Sequence, residues 1–258
     1  DYSIRRQLFR SILAKFGGNF YGFITGGAPL DPSVGEFFER IGIKVFQCYG
    51  LSETSPIISV DRGDDRKLMS VGLVLDSYDA KIDPETGELL VKGPSVMKGY
   101  YKNPEKTAEV LEEDGWLHTG DIGEFDSDGR LYITGRIKNM IVLSGGKKVF
   151  PEEVESVLEQ NPNFAEVCVF GATRTSGAKD GTEEIMTVIV PTEEVLAKYP
   201  DENDLQAFIG HEVKNLSVQL APYKRPVNIV VRKEQFPRTA TRKVKRNVVK
   251  EQTMAVVR

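Results

Sequence analysis

The stretch Gly135-Arg136-Ile137-Lys138-Asn139-Met140-Ile141-Val142-Leu143-Ser144-Gly145-Gly146 limits the fold more than any other part of this sequence. A charged crossing point, a short apolar run and a Gly-Gly turn follow one another within it. Pro151-Glu152-Glu153 comes next, a helix start with proline at the first helical position. Before the stretch, short alternating segments are broken by turn signals; after it, helical periodicity returns. Such punctuation does not fit inside one regular element, so it marks a boundary. Residues 1–135 and 139–258 are expected as separate domains, 136–138 as the hinge, and the active site is expected to lie across it.

Upstream of the boundary, residues 2–16 place Ile4, Leu8, Phe9, Ile12, Leu13 and Phe16 at helical spacing, closed by Gly17-Gly18. Residues 20–25 predict a strand entering Gly26-Gly27-Ala28-Pro29. Asp31 as N-cap and Pro32 after it open a helix with Val34, Phe37, Phe38 and Ile41 on one face, ended by Gly42. Residues 43–48 predict a strand running into Tyr49-Gly50-Leu51-Ser52-Glu53-Thr54. Strand, helix and strand with short connections are α/β organisation, with ligand loops at the strand ends. From Val71 to Arg136 the pattern turns β-rich and barrel-like, with a hairpin around Asp83-Pro84-Glu85-Thr86-Gly87 and a short helix at 104–112.

Downstream, strands are expected at 140–143, 165–170, 184–190 and 227–231. Helices are expected at 151–160, with Val154, Val157 and Leu158 inward, and over Leu205, Phe208, Ile209, Val213, Leu216 and Leu220. The order β-α-β-β-α-β is a small α+β domain. Residues 173–183, rich in Gly, Thr, Ser and Lys, are expected as a flexible loop.

Composition excludes several classes. A net charge of -4 points away from bulk nucleic-acid affinity. Two cysteines, Cys48 and Cys168, rule out a disulfide framework and suggest a reducing, cytoplasmic compartment. Two histidines, His118 and His211, are too few and too far apart for a metal cluster. No apolar run approaches the roughly 18 residues of a membrane span, and peripheral membrane contact is left open.

Several local strings carry chemistry. The glycines of Gly26-Gly27-Ala28-Pro29 let a flat ligand approach the backbone, or simply make a tight turn. Tyr49 to Thr54 offers an aromatic face, a permissive glycine, hydroxyls and a carboxylate, suited to a base, a phosphate oxygen and Mg²⁺; a solvated loop is the alternative. In Trp116-Leu117-His118-Thr119-Gly120-Asp121, Asp121 is a carboxylate for ribose hydroxyls or a turn residue. Arg136 suits phosphate or ribose oxygens, or a plain surface. Phe236-Pro237-Arg238-Thr239-Ala240-Thr241-Arg242-Lys243-Val244-Lys245-Arg246 is a basic, hydroxyl-rich segment, either an anion patch or a solvated run. Neither Gly-x4-Gly-Lys-Ser/Thr, Gly-x-Gly-x-x-Gly nor Gly-x-Ser-x-Gly is present, which weakens P-loop, Rossmann and simple hydrolase readings.

Taken together and in this order, the strings resemble the adenylate-forming superfamily of acyl-CoA synthetases, luciferases and peptide-synthetase adenylation domains. Gly87-Glu88-Leu89-Leu90-Val91-Lys92-Gly93 and Gly99-Tyr100-Tyr101-Lys102-Asn103-Pro104-Glu105-Lys106-Thr107 add to the match, and within the superfamily it looks most like a bacterial long-chain fatty acyl-CoA synthetase. The resemblance implies the C-terminal part of the large domain (an α/β sheet portion plus a small β-barrel-like subdomain) followed by a small mobile α+β domain. It implies Gly27, Ala28 and Pro29 along the adenine, Tyr49 stacked on it with Gly50 beside it, Ser52 at the α-phosphate and Glu53 on Mg²⁺. It further implies Asp121 and Arg136 at the ribose, Lys138 as pivot, Gly145 and Lys147 along coenzyme A, and Lys243 as the catalytic lysine. Superfamily members usually carry glycine just before that lysine; Arg242 stands there.

The implied reaction converts a fatty acid and ATP to acyl-AMP and pyrophosphate, then coenzyme A to acyl-CoA and AMP. An acyl-carrier-protein ligase and a non-catalytic nucleotide-binding module are the alternatives. The chain starts without Met and lacks the Ser/Thr/Gly-rich phosphate loop of the superfamily, so it is expected to be the C-terminal part of a longer enzyme, inactive by itself.

Overall fold

The computed structural model describes residues 2–63, 66–173, 183–239 and 242–256, and the chain divides into two compact units, Asp1–Ile133 and Thr134–Arg258. Residues 174–182 of the expected flexible loop lie outside the described residues.

In the first unit, α1 (Tyr2–Leu8) and α2 (Arg10–Ala14) replace the single helix expected over 2–16. Phe9 leaves helical geometry (φ -100°, ψ 22°) between them. The break turns Phe9, Ile12 and Leu13 onto Ile41 and Ile43, whereas Ile4 and Leu8 stay 57% and 74% exposed. A continuous helix would have kept all six side chains on one stripe. β1 (Gly22–Thr25), α3 (Pro32–Arg40) and β2 (Lys44–Gly50) follow. The Asp31 carboxylate accepts the Ser33 N–H at 2.8 Å, so the expected N-cap forms. Ile41 is buried, but Val34 and Phe37, on the same expected face, are 44% and 55% exposed.

β3 (Ile57–Val60) and β4 (Leu73–Val74) complete a sheet in the order β1-β2-β3-β4. β1 and β2 are parallel; the other pairs are antiparallel. β3 follows the Tyr49–Thr54 string so closely that periodicity did not reveal it. β5 (Asp79–Ile82), β6 (Glu88–Lys92), β7 (Leu117–Phe125) and β8 (Leu131–Arg136) form a second sheet in chain order, the β-rich region expected from sequence. The β5–β6 hairpin closes around Asp83, whose side chain accepts the Glu85 and Thr86 N–H groups at 3.0 and 2.7 Å. Ile58, Tyr78, Leu89, Val91, Leu117 and Leu131 bury the space between the sheets. α4 (Pro104–Val110) is capped by Asn103, which accepts the Lys106 N–H at 3.1 Å.

The second unit opens with the short antiparallel pair β9 (Ile141–Val142) and β10 (Lys148–Val149), then α5 (Pro151–Leu158). β11 (Phe164–Thr173), β12 (Glu183–Pro191) and β13 (Asn228–Val231) make a three-stranded sheet. The expected first strand of the β-α-β-β-α-β order thus pairs with β10; it touches the three-stranded sheet through a bridge between Leu143 and Glu183, the Val142 N–H donated to Glu183 Oε2 at 3.0 Å, and the packing of Ile141 in one core with Val167 and Ile185. α6 (Glu193–Lys198) and α7 (Glu202–Leu216) connect β12 to β13, and α8 (Arg246–Val256) ends the described chain. Both faces of the sheet are covered. Val167, Val169, Ile185 and Ile189 pack on Val154 and Leu158 of α5 and on Leu205, Ile209 and Val213 of α7. Cys168, Phe170, Met186, Val188 and Val190 face Phe236 and Val249. Two-sided burial explains why β11 and β12 read as continuous apolar runs. α8 was not expected: Val249 and Thr253 are its only buried residues, too few for a visible stripe.

Two outcomes follow. Ile209→Ala empties a fully buried site and should cost about 2–5 kcal/mol, read as a lower urea midpoint at unchanged slope; an unchanged midpoint would contradict the packing of α7. His118 lies across from Leu90, its Nδ1 2.8 Å from Glu88 and its Nε2 2.8 Å from Glu112. The Glu88 contact foremost, then Glu112, raises its pKa above the usual 6.5. A raised folded value stabilises fully below the unfolded value and loses that contribution as pH climbs through the folded one. Stability should therefore fall as pH rises above 6.5, and His118→Gln should flatten that decline in thermal melts.

Candidate active site

β1 and β2 run parallel with Thr25 opposite Gln47, so the loops after them leave the same end of the sheet. A Cβ on Gly26 would sit 2.6 Å from the Cys48 sulfur, which fixes how closely the two loops approach. Gly27 adopts φ +81°, and Gly27, Ala28 and Pro29 are exposed. On the second loop, a Cβ on Gly50 would stand 1.6 Å from the Pro56 carbonyl oxygen. Gly50 is therefore required by backbone contact as well as suited to a ligand.

Tyr49 packs against the core between the two sheets, and its hydroxyl donates to Asp121 Oδ2 at 2.6 Å. The fold thus joins the expected base platform to the expected ribose carboxylate across 72 residues of sequence. Asp121 is 1% exposed. Its backbone is held by Thr119, whose Oγ1 accepts the Asp121 N–H at 3.1 Å and donates to the Leu89 carbonyl at 2.7 Å. Gly120 adopts φ +70° and donates its N–H to Glu88 Oε1 at 2.8 Å. Glu88 is buried and spans from His118 to this turn. Sequence reasoning gave Glu88 no role, although a glutamate opening the apolar run Leu89-Leu90-Val91 was the available signal.

Ser52 is exposed and starts a single helical turn, Ser52–Thr54. Glu53 is half-buried. Its backbone carbonyl accepts the Met97 N–H at 2.7 Å, and its Oε1 accepts the Tyr100 hydroxyl at 2.9 Å. Tyr100 is a second contributor that local reading left without a role. Among the described residues, no group of three or more His, Cys, Asp or Glu could hold a metal. Glu53 is a lone carboxylate, and that donor set fits a Mg²⁺ ion whose other ligands are water and phosphate oxygens rather than a protein cage.

In the second unit, Arg136 closes β8 and Lys138 is exposed in the turn Ile137–Asn139. Gly145 and Gly146 take φ +87° and +76° in the β9–β10 turn, and a Cβ on either meets nothing within 4 Å among the described residues. Lys147 Nζ stands 4.5 Å from the centroid of the Tyr223 ring. Lys243 is exposed, its N–H bound to Thr239 Oγ1 at 3.0 Å. The two cysteines are free, and burial pushes the Cys168 thiol up to about 12, so it is no nucleophile. No helix among the described residues is long and apolar enough to cross a membrane.

Residues 6–101 match the AMP-binding enzyme family and residues 153–243 match the AMP-binding enzyme C-terminal domain. The chain is 40% identical over 166 residues to the long-chain-fatty-acid–CoA ligase FadD15 of Mycobacterium bovis, an alignment covering 64% of this chain and 27% of that protein. It is 37% identical over 243 residues to a long-chain-fatty-acid–CoA ligase of Bacillus subtilis, covering 89% and 40%. Among solved structures, it resembles the o-succinylbenzoate CoA synthetase of Bacillus subtilis in complex with its acyl-adenylate intermediate, with TM-score 0.73, 31% identity, and coverage of 93% and 49%. The chain spans less than half the length of these relatives. Two family models matched in sequence order, on a fold shared with adenylate-forming enzymes, establish that this chain belongs to the AMP-binding enzyme family.

Proposed function

We propose that the chain serves an ATP-dependent ligase that joins a fatty acid to coenzyme A through an acyl-adenylate. The observation that carries this reading is the Tyr49–Asp121 bond: an aromatic face and a buried carboxylate are coupled at the end of a strand whose loop also bears Glu53. The named fatty-acid–CoA ligases among the relatives support the choice of acid and thiol.

In this reading the adenine lies along Gly27, Ala28 and Pro29 and against the Tyr49 ring. The ribose hydroxyls compete with the Tyr49 hydroxyl for Asp121, and Arg136 adds a charged donor for them. Gly50 keeps the loop backbone close, and Ser52 offers its hydroxyl to the α-phosphate. The fatty-acid carboxylate attacks the α-phosphorus, the bond to the β-phosphate oxygen breaks, and pyrophosphate leaves. Mg²⁺, held by Glu53, would supply charge neutralisation on the phosphates. Lys243 offers its ammonium to the carboxylate and the α-phosphate as negative charge builds there. The thiol of coenzyme A then attacks the acyl carbonyl, and AMP departs with its bonding electrons on a phosphate oxygen. No protein nucleophile is needed. Gly145, with open space where a side chain would stand, leaves a path for the pantetheine arm, and Lys147 is a cation for its phosphates. Lys138 is the proposed pivot of the link that follows β8. With free cysteines and ATP and coenzyme A as substrates, the proposed place of work is the cytoplasm.

Asp121→Ala should weaken AMP binding to this chain about tenfold or more, read by calorimetry, with Tyr49→Phe affected less, because it keeps the ring. Equal affinity in Asp121→Ala would remove the ribose assignment. Lys243→Ala in the complete gene product should lower acyl-AMP formation by about 10²–10³ with little change in KM for ATP. Undiminished acyl-AMP formation would exclude Lys243 as the catalytic cation.

A further inference from the structure

The segment that presents Lys243 is a hairpin. Arg238 and Val244 form a bridge, Lys245 donates its N–H to the Pro237 carbonyl at 2.8 Å, and Thr239 donates its N–H to the Lys243 carbonyl at 2.8 Å. Arg242 donates its N–H to the Thr239 carbonyl at 2.9 Å and itself adopts φ +64°. That is a left-handed backbone conformation, where glycine is the usual occupant because a Cβ crowds the following carbonyl. Arg242 is one of three non-glycine residues with positive φ among the described residues, beside Ser55 and Lys102. An arginine stays there only if its surroundings hold it.

Arg238 and Glu166 supply the holding contacts. Arg238 Nη1 donates to the Arg242 carbonyl at 2.7 Å, which is the peptide that leads into Lys243. Arg238 Nη2 is paired with Glu166 Oε1, and Glu166 Oε2 accepts the Phe236 N–H at 2.6 Å. The Glu166 side chain is only 10% exposed and stands on β11, while Phe236 is buried against the sheet. On the far side of the hairpin, Arg246 bonds Glu155, Glu152 and the Val169 carbonyl. The loop is therefore stapled to β11 at both ends, and the Glu166 staple reaches through Arg238 to the strained peptide itself.

We infer that Glu166 and Arg238 are positioning residues: they hold Arg242 in its left-handed conformation and so fix the direction in which Lys243 leaves the loop. The inference rests on the proposed catalytic role of Lys243, which it deepens. In a glycine-bearing loop the same backbone shape costs little, so the clamp supplies by side-chain contact what glycine would supply by its own freedom.

Amide hydrogen exchange on this chain tests the clamp without any reaction. Arg238→Ala should raise exchange at Arg242 and Lys243 about tenfold while amides of the sheet core, such as Val188, keep their protection. Arg238→Ala with Arg242→Gly should recover most of that protection, because glycine accepts the left-handed conformation unaided. Unchanged exchange in the single variant, or no recovery in the double, overturns the proposal. In the complete gene product the single variant should lower kcat for acyl-AMP formation by about 10–100-fold at unchanged KM for ATP, and leave thiol transfer from supplied acyl-AMP at its original rate. Glu166→Gln, which keeps an acceptor for Phe236, should fall between wild type and Arg238→Ala; a loss equal in both half-reactions would also overturn positioning. Lys243→Ala separates the two ideas. If it leaves acyl-AMP formation unchanged, the catalytic reading fails while the exchange data still decide the clamp.

Discussion

A carboxylate taken out of water must be given donors, or it costs more than the fold can spare. In this chain the donors come from the motif-bearing loops and from their neighbours. Glu88 is buried and accepts the Gly120 N–H. Asp121 is buried and accepts the Tyr49 hydroxyl. Glu166 accepts the Phe236 N–H and the Arg238 guanidinium, and Glu155 accepts the Val169 N–H and Arg246. Each bond satisfies an acid on or beside a sheet and at the same time fixes the position of a loop or helix against it. Stability and site geometry share the same hydrogen bonds.

That sharing gives the two units different means of presenting their groups. In the first, the Tyr49–Asp121 bond joins two sheets, so the proposed base platform and its acid are held together. Glycines do the close work there, because Gly50 has backbone where a Cβ would be. In the second, Lys243 stands in an exposed segment next to Arg242, which holds a left-handed conformation. Rigidity at that point comes from a salt-bridged side chain, a relation that is partly exposed and open to screening by salt.

Much of the fold was legible from local pattern. Asp31 before Pro32, the Pro151 helix start, and the apolar runs of β11 and β12 all act over a few residues, and each formed as read. The miss at residues 2–16 has a clear cause: six apolar side chains fit helical spacing, but only Phe9, Ile12 and Leu13 found a core to enter, and the helix broke to let them. α8 escaped because two buried residues make no stripe. Glu88, Tyr100 and Glu166 escaped because nothing in their own neighbourhood shows the partner that gives them a role.

The sequence by itself determined the caps, the turns, the alternation of buried positions and the family-defining strings, since these depend on residues close along the chain. Only the tertiary structure decided which acid meets which donor. Tyr49 finds Asp121 across 72 residues, Phe236 finds Glu166 across 70, and Gly120 finds Glu88 across 32. A hydrogen bond needs its atoms within about 3 Å, and for residues so far apart only the packing of the sheets brings them to that distance.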